Sequence, residues 1–245
     1  MKRVGFENGS FYHVYNRGVD KRRIFMDDQD YSYFLYELGE FNKPAHSTNL
    51  IRTLNKNVKG PTSHINGEYA DVCCYVLMPN HYHLILRQLK DNGISKLIQK
   101  LGTGYTMFFN KKYERKGVLF EGKYKVKPVD SDEYLMHLSR YLHLNPVSLI
   151  DPQWKNKGIK AWKKTNDFIK NYRWSSYSAY ISSENDNVKG PTSHREILSK
   201  DFIMDYFKNS SDKYEKFISS WTQEDKDLIV KGSTFHSGGK RKGRG

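Results

Sequence analysis

The sequence predicts an α+β fold: a small antiparallel sheet with packed helices, followed by a helical accessory region. Three observations predict it. Aromatic and β-branched runs at 11–17, 72–78 and 81–87 read as strands. The last two are separated only by Pro79-Asn80, a break short enough to join antiparallel neighbours. Apolar residues recur at helical spacing behind acidic starts at 27–41 and again from 130 onward.

The chain has 245 residues, enough for one domain or two small ones with a real core. Lys and Arg number 41 against 27 Asp and Glu, a net charge of +14. Apolar residues make up 37%, below the roughly 45–50% of average globular chains, so the core is thin and the surface widely polar. Aromatics reach 14%, about half of them Tyr, which argues against disorder. Excess positive charge with many flat side chains suits a nucleic-acid partner, through phosphate neutralisation and base stacking.

Along the chain, 11–17 is a strand ended by Asn16-Arg17-Gly18, and Tyr31, Phe34, Leu35 and Leu38 mark a helix over 27–41. The polar stretch 42–67, broken by Pro44, Gly60, Pro61 and Gly67, reads as a loop insertion. Residues 72–78 and 81–87 read as two central strands. A helix over 95–110, weakened by Gly102 and Gly104, and a strand over 118–127 follow. The clearest helix takes Asp130 as N-cap with Glu133 three residues on, packs Leu135, Leu138 and Leu142, and stops at Pro146. The expected division is a domain over 1–150, an accessory helical region over 151–230 and a basic, Gly-rich, disordered tail over 231–245. The octapeptide NVKGPTSH occurs at 57–64 and 187–194, and two copies of a loop-like string do not make a solenoid.

Several classes are excluded. No apolar run reaches the roughly 18–20 residues of a membrane helix, and the first residues lack a signal-peptide core, so a cytoplasmic protein without a membrane partner is expected. The only cysteines are the neighbours Cys73 and Cys74, which cannot staple distant segments. They lack the C-x2-C spacing of a zinc finger, and strand alternation puts them on opposite faces.

Three constellations could carry chemistry. His81 and His83 flank Tyr82 on a strand, so both imidazoles point to one face, half of a metal site; the same spacing also fits two polar strand residues. Tyr141 and Asn145 lie four apart on the strong helix, about 40° from one another at 100° per residue and along the edge of the leucine stripe. Lys123, Lys125 and Lys127 alternate with Tyr124 and Val126, making one strand face basic. Residues 96–127, with Lys111, Lys112 and Arg115 among them, hold nine Lys and Arg against two Glu, half of the net charge. A solvated face is the plain reading; that concentration favours a phosphate-binding surface, to which Arg17 is added.

YHVYNRG at 12–18, IF-x-D-D at 24–28, VLMPNHYHLIL at 76–86, LFEGKYK at 119–125 and YLHLNPV at 141–147 stand in an order that resembles the single-tyrosine HUH transposases of bacterial insertion sequences. Within these the branch of REP-associated tyrosine transposases is the most similar, over roughly residues 10 to 180. The resemblance implies an HUH endonuclease-like sheet with a ferredoxin-like palm, His81 and His83 as metal ligands, Tyr141 as nucleophile and Asn145 as third ligand, where many relatives have Gln. It implies Mg²⁺ or Mn²⁺ as the cofactor. The expected function is a metal-dependent endonuclease and strand transferase acting on single-stranded DNA beside hairpins through a covalent phosphotyrosine. The alternative is a domesticated protein that binds hairpin DNA or RNA without cutting it. A homodimer is compatible with either, and a nucleoid-associated protein of the bacterial cytoplasm is expected.

Overall fold

The computed structural model describes residues 5–43, 67–181 and 197–222, together with 227 and 229. Most of the 42–67 insertion, both octapeptides and the tail at 231–245 lie outside the described residues. Strands β1 (Phe11–Arg17), β2 (Ala70–Met78), β3 (His81–Gln88) and β4 (Lys125–Val129) form one sheet in the order β2-β3-β1-β4. Each neighbouring pair is antiparallel. Helix α1 (Asp28–Phe41) connects β1 to β2, and α2 (Gly93–Lys112) connects β3 to β4. This β-α-β-β-α-β succession is the ferredoxin-like arrangement.

One face of the sheet, presenting Tyr12, Val14, Tyr75, Leu77, Tyr82 and Leu84, packs on α1 and α2 in one core. Helix α1 starts at Asp27, whose side chain accepts from the Asp30 N–H while the Asp30 carboxylate accepts from the Asp27 N–H, a reciprocal cap. Lys112 at the end of α2 clasps the same start, with Nζ 2.7 Å from Oδ1 of Asp27 and of Asp30.

Helix α3 (Asp132–Leu144) lies on the opposite face, where a second core joins Leu135, Leu138 and Leu142 to Phe11, Val76, Ile85 and Val129. The N-cap is Ser131, whose side chain accepts from the Tyr134 N–H, one residue after the cap expected from sequence. Pro146 turns the chain into a short 3-10 segment, Asn145–Leu149. Beyond it, α4 (Trp154–Lys157), α5 (Trp162–Asn171), α6 (Tyr177–Ile181), α7 (Asp201–Met204) and α8 (Ser211–Ser219) supply Trp154, Ile169, Tyr177, Tyr180, Tyr214 and Ile218 to the second core. Buried His143 ties these helices to α3 and β2: its Nδ1 is 2.7 Å from the Tyr214 hydroxyl and its Nε2 is 2.8 Å from Ser176 Oγ.

Two readings of β2 change. It is an edge strand, not a central one, yet every residue is buried. Later segments cover its outer side: the Leu77 N–H donates to Trp174 O at 2.8 Å and the Ser199 N–H to Val72 O at 2.9 Å. A covered edge reads as apolar at both parities, just as a central strand does. A bulge between Val72 and Cys74 breaks the alternation, so Cys73 and Cys74 enter the same core instead of opposite faces. Both are free and buried.

Candidate active site

The β-sheet register collects the candidate residues on one face. Tyr15 pairs with His83 on one side and with Lys125 on the other; Arg17 pairs with His81, and His13 with Lys127. Directly opposed residues share a face, so His81, His83, His13, Tyr15, Arg17, Lys125 and Lys127 all stand beneath α3. Lys125 and Lys127 thus share one surface with the histidine pair.

Tyr141 comes down onto this surface from α3, with its ring centroid 6.2 Å from that of His83 at 82°, edge to face. Its hydroxyl accepts a hydrogen bond from Lys155 Nζ at 2.9 Å. Asn145, one turn on, keeps helical backbone angles (φ −54°, ψ −39°) and therefore the phase of Tyr141. Asn145 is buried, and its Nδ2 has no hydrogen-bond partner.

The turn between β2 and β3 fixes the His81 tautomer. The Gly18 N–H donates to Asn80 O at 2.8 Å, and Asn80 Nδ2 donates to Lys21 O at 3.1 Å. A Cβ at Gly18 would stand 2.3 Å from Arg22 O, so only glycine lets the chain pass here. With its nitrogen so used, Asn80 presents Oδ1 to His81 Nδ1 at 2.6 Å. An amide oxygen only accepts, so Nδ1 carries the proton and Nε2 keeps its lone pair. On His83 it is again Nδ1 that is occupied, 2.8 Å from Nε2 of His13.

All three imidazoles are held neutral. Burial, then the Lys155 and Arg17 charges, push His81 down to about 4. Burial and then Lys127 push His13 down to about 3. Burial, with His13 and His81 next, holds His83 well below its usual value. Neutral imidazole is the form that ligates metal. Among the described residues no group of three or more His, Cys, Asp and Glu side chains is placed to hold a metal ion. A cation on this face would need an amide as third donor, and Asn145, whose buried Nδ2 has no partner, fits: a half-turn of the group puts its oxygen where the nitrogen stands.

The other sequence candidates fall into separate groups. Lys125 is exposed and Lys127 half-buried on the histidine face, whereas Lys123 precedes β4 in a bend. The strand expected over 118–127 starts only at Lys125, because Gly117 and Gly122 adopt positive φ (88° and 72°) and make the preceding stretch a turn. Arg17 forms a bidentate pair with Glu121, with Nη2 2.9 Å from Oε1. Lys112 is engaged by Asp27 and Asp30. Arg115 donates to Asn110 Oδ1 at 3.2 Å, and Lys111 is exposed at the end of α2. Tyr105 is buried on the other face of the sheet with its hydroxyl donating to Ile24 O. Tyr134 is buried above this face, and burial pushes its phenol up to about 12.

Sequence reasoning missed His13 and Lys155. The alternation of Phe11, His13, Tyr15 and Arg17 along β1 was the available signal for His13. Nothing in the loose pattern after Pro146 marks Lys155.

No curated protein matches the chain. A solved structure described as a REP-associated tyrosine transposase bound to a REP hairpin is similar at 11% identity and a TM-score of 0.45, over 77% of this chain and 88% of that one. The family model described as "Transposase IS200 like" matches residues 52–145, which include His81, His83, Tyr141 and Asn145. That match spans 94 of the chain's 245 residues.

Proposed function

We propose that the chain cuts and rejoins single-stranded DNA beside a hairpin by phosphoryl transfer through Tyr141, with a divalent cation on His81, His83 and Asn145. The observation that carries the reading is the placement of Tyr141 against His83, where both imidazoles of the pair have Nδ1 occupied and Nε2 free to face a ligand.

Attack of the Tyr141 oxygen on a phosphodiester gives a phosphotyrosine that stores the energy of the broken bond, so the strand can be rejoined without a nucleotide cofactor. A tyrosine therefore suits strand transfer better than degradation. When bound, the cation would serve as a Lewis acid toward the phosphate oxygens. Imidazole donors favour transition metals and an amide oxygen favours harder ions; the open site and the family resemblance support Mg²⁺ or Mn²⁺. Lys125 and Lys127 place positive charge along the line from Tyr15 to His13, where a strand entering beneath α3 would lay its phosphates. Unpaired bases are required for that approach, and half-buried Tyr15 offers a stacking face.

The test is incubation of the protein with an end-labelled single strand flanking a hairpin, with Mn²⁺ or with EDTA, read on a denaturing gel. A covalent protein–DNA band that requires the metal and is lost in His81→Ala and His83→Ala supports the reading. Hairpin binding without any such band would instead mark a binding protein that does not cut.

A further inference from the structure

The Tyr141 hydroxyl is held by a residue from beyond the family match. Lys155 lies on α4, where neighbouring Trp154 is fully buried, donates from its indole N–H to Ser148 Oγ at 2.9 Å, and packs its ring 5.1 Å from Trp221. That anchor fixes the backbone from which Lys155 reaches back over α3. Its Nζ lies 2.9 Å from the Tyr141 oxygen and 4.6 Å from the ring centroid of the same tyrosine. Half-buried, it stands where phenol and imidazoles meet, and its charge bears on both His81 and His83. A lysine whose only task was to cover aromatic rings would extend its ammonium into water; this one turns the ammonium onto the reacting oxygen.

We propose that Lys155 is a catalytic residue of the phosphoryl transfer, holding the Tyr141 oxygen toward the phosphate and neutralising charge on it as it attacks and again as it is expelled. This rests on the reading of Tyr141 as nucleophile. In cleavage the bond from the Tyr141 oxygen to phosphorus forms and the bond from phosphorus to the bridging sugar oxygen breaks. The phenol proton passes to water, and the sugar oxygen takes a proton from water to leave as a hydroxyl. Joining is the reverse, with the phenol oxygen as leaving group. Lys155 stays protonated throughout and contributes a charge-assisted hydrogen bond, about twice as strong as a neutral one and strengthened where water is excluded.

Single-turnover cleavage and rejoining of a labelled strand flanking a hairpin, with Mn²⁺, should be compared in wild type, Lys155→Met and Lys155→Arg. Methionine keeps most of the stem without the charge, and arginine keeps the charge. Loss of one donor aimed at developing charge costs on the order of 10²–10³-fold in rate. That loss is expected in both directions for Lys155→Met, with strand affinity within about threefold and at least a tenth of the wild-type rate recovered in Lys155→Arg. Cleavage by Lys155→Met within threefold of wild type overturns the proposal. Equal loss in Lys155→Met and Lys155→Arg, with a lowered melting temperature, marks a packing role and also overturns it. Absence of a covalent adduct from the wild type overturns the nucleophile reading and this proposal together, which separates that failure from failure at Lys155 alone.

Discussion

His13 Nε2 and His83 Nδ1 lie 2.8 Å apart across β1 and β3, as diagonal neighbours on the face that carries Tyr141. The contact holds the His83 ring and leaves its Nε2 as the outward nitrogen. A ligand imidazole is commonly fixed this way through its second nitrogen.

His13→Ala should therefore weaken Mn²⁺ binding by about 10–100-fold while leaving His81 and His83 in place. Calorimetric titration of wild type and variant with Mn²⁺ checks this. Equal affinities would mean that the His13 contact does not orient a ligand.

Lys125 and Lys127 share the histidine face, whereas Lys123 precedes the strand. Changing Lys125 and Lys127 together to Ala should flatten the logarithmic salt dependence of single-strand binding by about 1.4 units, at roughly 0.7 per phosphate contact. Sequence preference should hardly change, because phosphate contacts position a strand and do not read it. Adding Lys123→Ala tests whether the bend also reaches the backbone of the strand.

Asp27 caps α1 and is clasped by Lys112. Asp27→Ala should cost about 1 kcal/mol of stability at pH 7, a typical N-cap loss. Hydrogen bonds from Lys112, foremost among the causes, hold the Asp27 carboxyl below its usual value in the folded protein. A group depressed on folding stabilises fully above its unfolded pKa of about 3.9, and that contribution is lost as pH falls through the lower folded value. The gap between wild type and variant in urea unfolding should narrow below about pH 4. A gap of constant size down to pH 2 would show that the carboxylate charge plays no part.

Much of this was legible in the sequence, for physical reasons that particular elements make plain. β1, the β2–β3 pair and α3 carry strong periodicity, and their bounds fall within about two residues of expectation. Burial on one face of each fixes that periodicity locally, and the positions of His81, His83 and Tyr141 follow from it. β4 was misplaced because Gly117 and Gly122 form turns that outweigh the alternating residues around them. The covering of the β2 edge depends on Trp174 and Ser199, 97 and 127 residues beyond Leu77 and Val72, and the bulge after Val72 leaves no mark in the apolar run. His13 acquires its role only from a register across strands, and Lys155 only from the burial of Trp154. Lys155 leaves no periodic trace, whereas His13 shares the alternation of β1 with Phe11, Tyr15 and Arg17. The split of the basic residues into those facing the histidines and those paired with Glu121, Asp27 and Asp30 is likewise a property of the folded chain.

The most direct measurement is peptide mapping of the covalent product. Wild-type protein, incubated with Mn²⁺ and a single strand flanking a hairpin, is digested with protease and nuclease and analysed by mass spectrometry. A nucleotide attached to the peptide containing Tyr141, and no adduct from Tyr141→Phe although hairpin binding stays within a few-fold, is the expected result. An adduct that persists in Tyr141→Phe, or one that maps to another side chain, would contradict the assignment of Tyr141 as the nucleophile.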